Sequence, residues 1–572
     1  MKLLLITALS AFSVALLSIA DGSRIVGSLL RDYRRVLSSM NGGGEEDRRD
    51  YMITPDDLRA LIELHDDDFY CNDLCTKHLR SSLSLTNGSD SISYGLFEKL
   101  VDQLYGDMIS DDPMEPQEIH LSLTGNPTEM TVMWTTKGHL FDPYVEYKSA
   151  VADDSGWLKS PAVNYTYEVP MNWWPTFEGV IYKAKMDSLT PSMDYVYRVR
   201  GYDHVNKTLR SSEAFTFRAS PMNDPFHVTK IATLADQGTF MLLGFAVQKK
   251  LSELQDQLGI ELATVTGDLS YAGLSSAMPR LNITSEDEFE HVWDLYGIQS
   301  QSVAATRPWM VTNGNHERFY NYSAYRNRYS MPYEHSGGSE DGFWYSFNYG
   351  NVHYVSISSE HDLSEGSPQR LWLMKDLSSA SEPQQRSVVP WIVLAIHKPL
   401  YCSAKGTPGG YADALESLCL QFDVDLTITG HMHLYERVHP VSKGVVTCYP
   451  KKQLHGDEGG RGLFIDVYHS FGRGPVHVVQ GNAGAAQGEQ WYQPAPAWSA
   501  IRFANGYITP NISYPRDSPL IETTKHWNYT DTFGFGVITA YNRTHLHYSM
   551  VPLTGTLGTD QFWVVKTERE QQ

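Results

Sequence analysis

The sequence predicts a β-sandwich followed by an α/β domain, and three observations predict it. Between residues 116 and 222 short alternating segments recur with turn residues between them. From about residue 226 onward, continuous apolar runs alternate with helix-like stretches, the pattern of buried strands and crossover helices. Five of those runs end in polar clusters, and α/β sheets gather their ligands beyond the carboxyl ends of strands.

The chain opens with "MKLLLITALSAFSVALLSIADGSR", a cationic start, an apolar run and small residues near Ala20. This is the layout of a signal peptide over residues 1–20, so a secreted or lumenal protein, extracellular or in a lytic compartment, is expected, with no membrane anchor after cleavage. Eight N-x-S/T sequons, at Asn87, Asn164, Asn206, Asn282, Asn321, Asn511, Asn528 and Asn542, agree with secretion and make a glycoprotein the expectation. Residues 21–115 carry "GGGEEDRRD", the acidic "LHDDD" and a helix-like "SYGLFEKLVDQLYGDM", and show no chemistry. They are read as an N-terminal extension.

Five cysteines fit an oxidising compartment. Cys71 and Cys75 are close enough to bridge, and Cys402 with Cys419 would staple a loop, leaving Cys448 over. Neither spacing suits a zinc ribbon. A net charge of −21 argues against a nucleic-acid-binding surface, which needs clustered Lys and Arg. It leaves room for a small phosphorylated substrate, because a metal cluster dominates its local field.

In the first domain "EIHLSLTG", "EMTVMWTT", "VEYKSA", "GVIYKAKM", "YVYRVRGYD" and "EAFTFRAS" read as strands of a fibronectin type III-like sandwich without a catalytic grouping. In the second, "VTKIATLADQG", "LATVTGD", "WMVTNGNHE", "WIVLAIHKP" and "VDLTITGHMH" read as strands whose polar ends meet at one edge of a sheet. "SEDEFEHVWDLYGIQS" and "QRLWLMKDLSS" are intervening helices.

Taken singly, each cluster is ordinary. An aspartate after a strand is usually a cap or turn former, which is the bland account of Asp236. His397 alone would be a hydrogen-bonded core histidine, and a buried tyrosine such as Tyr271 commonly hides a bonded hydroxyl. "GHMH" is stronger, since His431 and His433 follow an apolar strand and offer two imidazoles to a metal.

Together the runs supply Asp236, then Asp268 and Tyr271, then Asn315 and His316, then His397, then His431 and His433. That order and those local spacings resemble the metallophosphoesterase superfamily and, within it, the purple acid phosphatases, whose five blocks run roughly GDxG, GDxxY, GNH[DE], VxxH and GHxH. Two blocks depart: "ADQG" has Ala235 for glycine, and "AIHKP" begins with alanine for valine. Both keep the ligand residue. The likeness extends to "YSFNYGNVHYVSISSE", "GHMHLYER" and "FGFGVITAYNRTHLHYSM" and covers roughly residues 116 to 555.

The resemblance implies a sandwich over 116–222 and a four-layer αββα catalytic domain over 226–555, its C-terminal part from about 475. It also implies a binuclear centre in which Asp236, Tyr271 and His433 hold Fe(III). Asn315, His397 and His431 would hold a divalent Zn, Mn or Fe(II), with Asp268 bridging. Carboxylate and phenolate oxygens suit a highly charged iron, and imidazoles with an amide oxygen suit the divalent ion. Two such ions clamp a phosphate ester and present a metal-bound hydroxide, and ferric iron keeps that hydroxide available at acidic pH. His316 would contact substrate and protonate the leaving alkoxide, with Asn315 orienting metal and histidine. Plant-type members place histidines after the fourth block; here Lys405 is the candidate phosphate contact, as a point charge. An unengaged loop lysine accounts for it equally well.

The expectation is therefore a secreted acid phosphatase acting on phosphate monoesters. A phosphodiesterase or nucleotide pyrophosphatase on the same scaffold is the alternative enzyme, with loops 273–292 and 401–420 shaping the pocket. A non-catalytic, metal-stabilised interaction protein is the alternative from another class.

Overall fold

The computed structural model describes residues 110–566 apart from 111, 154–155, 169–176, 178, 204–206, 240–241, 273–288, 456–462, 486, 488–489, 493, 505–506, 511–531 and 554–559, and also the paired strands Met52–Ile53 and Ile92–Ser93. The expected signal peptide, Cys71, Cys75, Asn87, Asn206, Asn282, Asn511 and Asn528 lie outside the described residues. Among the described residues no helix is long and apolar enough to cross a membrane.

The sandwich contains β1 (Gln117–Leu123), β2 (Met130–Thr136), β3 (Leu140–Ser149), β4 (Leu158–Pro161), β5 (Val163–Tyr165), β6 (Val180–Met186), β7 (Asp194–Asp203), β8 (Leu209–Ser211) and β9 (Phe215–Arg218). One sheet runs β1-β2-β6-β5 and the other β8-β7-β3-β4, with β9 on β7. All six segments expected as strands form them. The short strands β4, β5 and β8 went unread because three or four residues give too little alternation to register. Trp134, Tyr147, Tyr197 and Phe217 fill the space between the sheets.

The second domain begins with β10 (Thr229–Leu234), α1 (Leu242–Leu258), β11 (Leu262–Thr266), α2 (Phe289–Ala304), β12 (Trp309–Thr312) and α3 (Phe319–Arg328). Then come β13 (Tyr345–Tyr349), β14 (Val352–Ile357), α4 (Pro368–Ala380), β15 (Trp391–Ile396), α5 (Tyr411–Gln421), β16 (Leu426–Thr429) and β17 (Tyr435–Val438). The chain closes with β18 (Lys451–His455), β19 (Leu463–Tyr468), β20 (Val476–Gln480), β21 (Ser499–Ala504), β22 (Tyr507–Pro510), β23 (Gly534–Ala540), β24 (His545–Pro552) and β25 (Gln561–Val565). "YSFNYGNVHYVSISSE" and "FGFGVITAYNRTHLHYSM" each form an antiparallel hairpin.

These strands make two eight-stranded sheets, not one. The first runs β12-β11-β10-β23-β24-β25-β19-β18 and the second β13-β14-β15-β16-β20-β17-β21-β22. Strands β10, β11 and β12 are parallel, as are β14, β15, β16 and β20. The expected convergence at one sheet edge is thus corrected to a convergence of two sheets. Both faces of each parallel set are buried, which is why the runs read as continuous apolar strands. At their carboxyl ends a hydrogen bond of 2.7 Å joins Thr312 of β12 to Ser356 of β14, fixing one set of strand ends against the other.

The sandwich packs against α2 and β12. Tyr197 donates to the Ala305 carbonyl (2.7 Å), and Arg328, at the end of α3, reaches Glu118 (2.9 Å), Glu290 (3.0 Å) and Asp294 (2.6 Å). Three carboxylates around one buried guanidinium offset the cost of burying it.

One expectation fails in this region. Cys402, Cys419 and Cys448 are all free and buried. Cys419, on α5, packs among Leu377, Leu415 and Leu418, whereas Cys402 sits with Ala404, Met432 and Leu434 in a separate apolar cluster. The segment read as a loop over 401–420 is half helix, since α5 begins at Tyr411, and it is held by packing without a Cys402–Cys419 bridge.

Candidate metal centre

Each candidate donor follows the carboxyl end of a parallel strand: Asp236 after β10, Asp268 and Tyr271 after β11, Asn315 and His316 after β12, His397 after β15, His431 and His433 after β16. The backbone there is bent into unusual shapes. Asp236, Asp268, Tyr271 and His431 have φ of 57°, 52°, 59° and 68°, a left-handed conformation that costs a non-glycine residue about 1 kcal/mol or more and persists only where the surroundings dictate it.

The glycines before the donors are steric requirements. A Cβ on Gly314 would lie 2.2 Å from Asp268 Oδ1, one on Gly430 2.4 Å from Asp236 Oδ2, and one on Gly267 2.4 Å from His397 Nδ1. Ala235, which replaces the glycine of the first block, has no positive φ and carries its methyl fully buried. That departure is harmless.

The donors form two sets. In one, the Tyr271 hydroxyl lies 3.0 Å from Asp236 Oδ1 and 2.8 Å from His433 Nε2. In the other, Asn315 Oδ1 lies 3.2 Å from His397 Nε2 and 2.8 Å from His431 Nδ1. Asp268 Oδ2 stands 3.1 Å from His397 Nε2, and Asp268, His397 and His431 offer ligand atoms all within 4.8 Å of one another. An ion about 2.1 Å from each donor of an octahedron has donor–donor edges of about 3.0 Å. The observed spacings of 2.8–3.2 Å match, so this donor set fits metal ions.

Surrounding groups orient the donors. His397 Nδ1 pairs with the Thr266 carbonyl at 2.9 Å, which turns Nε2 toward the cluster. Burial alone would raise the Asp268 carboxyl; the His397, His316 and His431 imidazoles outweigh it and hold the group well below the usual carboxylate range. Burial would lower His397, but the Asp268 carboxylate overrides it and the imidazole is pushed up to about 10. Burial, aided by the neighbouring His397, takes His431 down to about 4.

His316 lies at the rim. Its side chain is 23% exposed, its ring packs 4.6 Å from that of Tyr271, and its Nε2 is 3.8 Å from Asp268 Oδ2. Its backbone N–H donates to Asp268 Oδ1 at 2.9 Å. A group so placed faces both solvent and cluster.

Glu317, the residue after His316, escaped the sequence reading as a functional group. Its buried carboxylate accepts the backbone N–H groups of Asp268 (2.9 Å), Leu269 (2.8 Å) and Gly314 (2.6 Å), locking the loop after β11 to the loop after β12. The acidic fourth residue of "GNHE" was its only sequence signal. Lys405 stands apart: its side chain is exposed, its backbone N–H bonds the Gln490 carbonyl, and no contact among the described residues joins it to the cluster. Asn164 and Asn321 are exposed, and Asn542 is half-buried.

Two mixed sheets with donors gathered at their strand ends define a metallophosphoesterase. The profile described as "Calcineurin-like phosphoesterase" matches residues 245–435, "Purple acid Phosphatase, N-terminal domain" matches 116–219, and "Iron/zinc purple acid phosphatase-like protein C" matches 474–558. "Probable purple acid phosphatase 20" of Arabidopsis thaliana is 30% identical over 57% of this chain and 70% of its own length. "Acid phosphatase type 7" of Danio rerio is 29% identical over 68% and 83%. The solved structure of a purple acid phosphatase from yellow lupin (Lupinus luteus) seeds shares the fold, with a TM-score of 0.63 and 22% identity over 80% of this chain and 75% of that one. The chain belongs to the purple acid phosphatases, phosphatases built around a binuclear metal centre.

Proposed function

We propose that this protein is a secreted acid phosphatase that hydrolyses phosphate monoesters at an Fe(III)–M(II) centre. Asp236, Tyr271 and His433 would hold the ferric ion, Asn315, His397 and His431 the divalent ion (Zn, Mn or Fe(II)), with Asp268 shared between them. In the same reading the sandwich ends near residue 222 and the catalytic unit runs from about 226 to 555. Supporting it is the pairing of donors: the one phenol lies beside a carboxylate and a single imidazole, and the one amide lies between two imidazoles.

Bound, the ion pair supplies Lewis-acid polarisation of the phosphoryl group and an activated nucleophile. The chain's own groups supply the rest. His316, partly exposed beside Asp268, would deliver a proton to the departing alkoxide oxygen. Glu317, by fixing both loops, holds His316 and Asp268 in register.

The test is a visible spectrum with metal analysis of the purified protein, alongside hydrolysis of a phosphomonoester, a bis-ester and ATP. A phenolate–iron charge-transfer band that vanishes in Tyr271→Phe, with preference for the monoester, is expected. A Tyr271→Phe protein that keeps its colour would sink the ligand assignment, and preference for the bis-ester or ATP would move the protein to the diesterase or pyrophosphatase reading.

A further inference from the structure

The outer face of the sandwich sheet β8-β7-β3-β4 is basic and aromatic in a chain whose net charge is −21. The strand register places its outward residues in rows across the sheet. Lys159, Glu146 and Arg198 form one row, Tyr144 and Arg200 the next, and Phe141, Tyr202 and Leu209 the last. Glu146 is the only carboxylate in these rows, and it is buried beneath two guanidiniums, bonded to Arg198 and 3.0 Å from Arg200. Asp142, exposed in the bulge between the last two rows, and Asp194, 3.8 Å from Arg218 at the far end of β7, are the acidic groups at its margins, and Lys159, Arg198, Arg200 and Lys207 leave positive charge in excess between them.

The cations are held in place. Arg198 lies 4.6 Å from the Trp157 ring centre, Lys159 4.8 Å from that of Tyr144, and Lys207 5.1 Å from that of Phe141. Cation–π contacts restrain these side chains, so less entropy is lost when they meet an anion. At physiological salt the Debye length is about 8 Å, so a local face acts on a ligand largely independently of the distant net charge. Phe141 and Tyr202, 52% and 36% exposed and directly paired, add flat apolar surface next to the charges.

We propose that this face binds an acidic polysaccharide, a linear sulfated or carboxylated glycan. Fixed cations in adjacent rows suit regularly spaced sulfates or carboxylates, and the exposed Tyr202 ring beside them suits the C–H face of a sugar ring. An acidic peptide would use the cations alone. An anionic membrane would need apolar side chains projecting beyond the charges, whereas the Phe141 ring has Lys207 over it.

The experiment uses the full-length, metal-loaded protein with four probes: dextran sulfate, neutral dextran of equal length, polyglutamate, and phosphatidylserine vesicles. Expected is salt-sensitive binding to dextran sulfate that exceeds binding to the other three. Lys159→Glu with Lys207→Glu should weaken it about tenfold, from the usual worth of exposed charge pairs. Tyr202→Ala should weaken dextran sulfate binding while leaving polyglutamate binding unchanged. All variants should keep wild-type phosphatase activity, since none lies near the metal centre. No binding above neutral dextran, an unchanged affinity in the charge-reversed protein, or equal binding to polyglutamate or vesicles would each overturn the proposal.

Discussion

Replacing Glu317 by glutamine should loosen the metal cluster without touching a donor. The carboxylate accepts three backbone N–H groups, two on Oε2 from Asp268 and Gly314 and one on Oε1 from Leu269. Glutamine has the same shape but one acceptor oxygen. Seated at the Oε2 position it keeps two bonds, while its NH2 faces the Leu269 N–H, donor against donor. A buried unpaired N–H costs about 1–3 kcal/mol, and the surviving bonds lose their charged acceptor, about 1 kcal/mol each. Part of this is offset. In the metal-free protein burial, and then repulsion from Asp268, push the Glu317 carboxyl up to about 8; bound cations favour its charged form, and glutamine escapes the cost of burying that charge. The net loss should be about 2 kcal/mol, concentrated where the loops after β11 and β12 meet. Denaturant unfolding of the metal-loaded protein, elemental analysis and kcat read it: the midpoint, metal content and rate should all fall. A Glu317→Gln protein with an unchanged midpoint and full metal content would refute the clamp.

Two further outcomes follow from the same geometry. Gly314→Ala places a methyl carbon 2.2 Å from Asp268 Oδ1 and 2.7 Å from the Asp268 backbone nitrogen, so the carboxylate must move; overpacking of this kind costs about 1–3 kcal/mol, and loss of bound metal by elemental analysis is expected, while Gly409→Ala, which meets nothing within 4 Å, should keep it. The metal-free protein should lose stability as pH rises from 6.5 to 8. Glu317 is raised from 4.5 to about 8 and His397 from 6.5 to about 10, so across that window the folded state holds more protons than the unfolded one. His431, lowered from 6.5 to about 4, works in the opposite sense while its unfolded form still binds protons, a smaller effect that fades above about pH 7. Denaturant midpoints of chelator-treated protein at the two pH values check this, and a rising midpoint contradicts it.

Much of the centre was legible because its residues are short-range signals. An aspartate or histidine directly after an apolar run can be read without knowing where the run lies, and five such runs in a fixed order leave little room for coincidence. The clamp by Glu317 was not legible, because two of its three partners are backbone N–H groups nearly fifty residues upstream, which carry no side-chain identity. The cysteines misled for a related reason: separation along the chain says nothing about which apolar cluster each thiol joins, and Cys402 and Cys419 join different ones.

The sequence by itself set the two-part order, the longer strands and the candidate donors, since burial on both faces demands continuous apolar runs and metal chemistry demands particular side chains. Only the tertiary structure decided that the strands divide between two sheets, that four donors sit on left-handed backbone, and that Tyr271 meets Asp236 and His433 rather than the imidazoles of the other set. Strand pairing is settled by long-range packing and loop closure, which depend on the whole chain at once; the donors' identities depend on a few residues at a time.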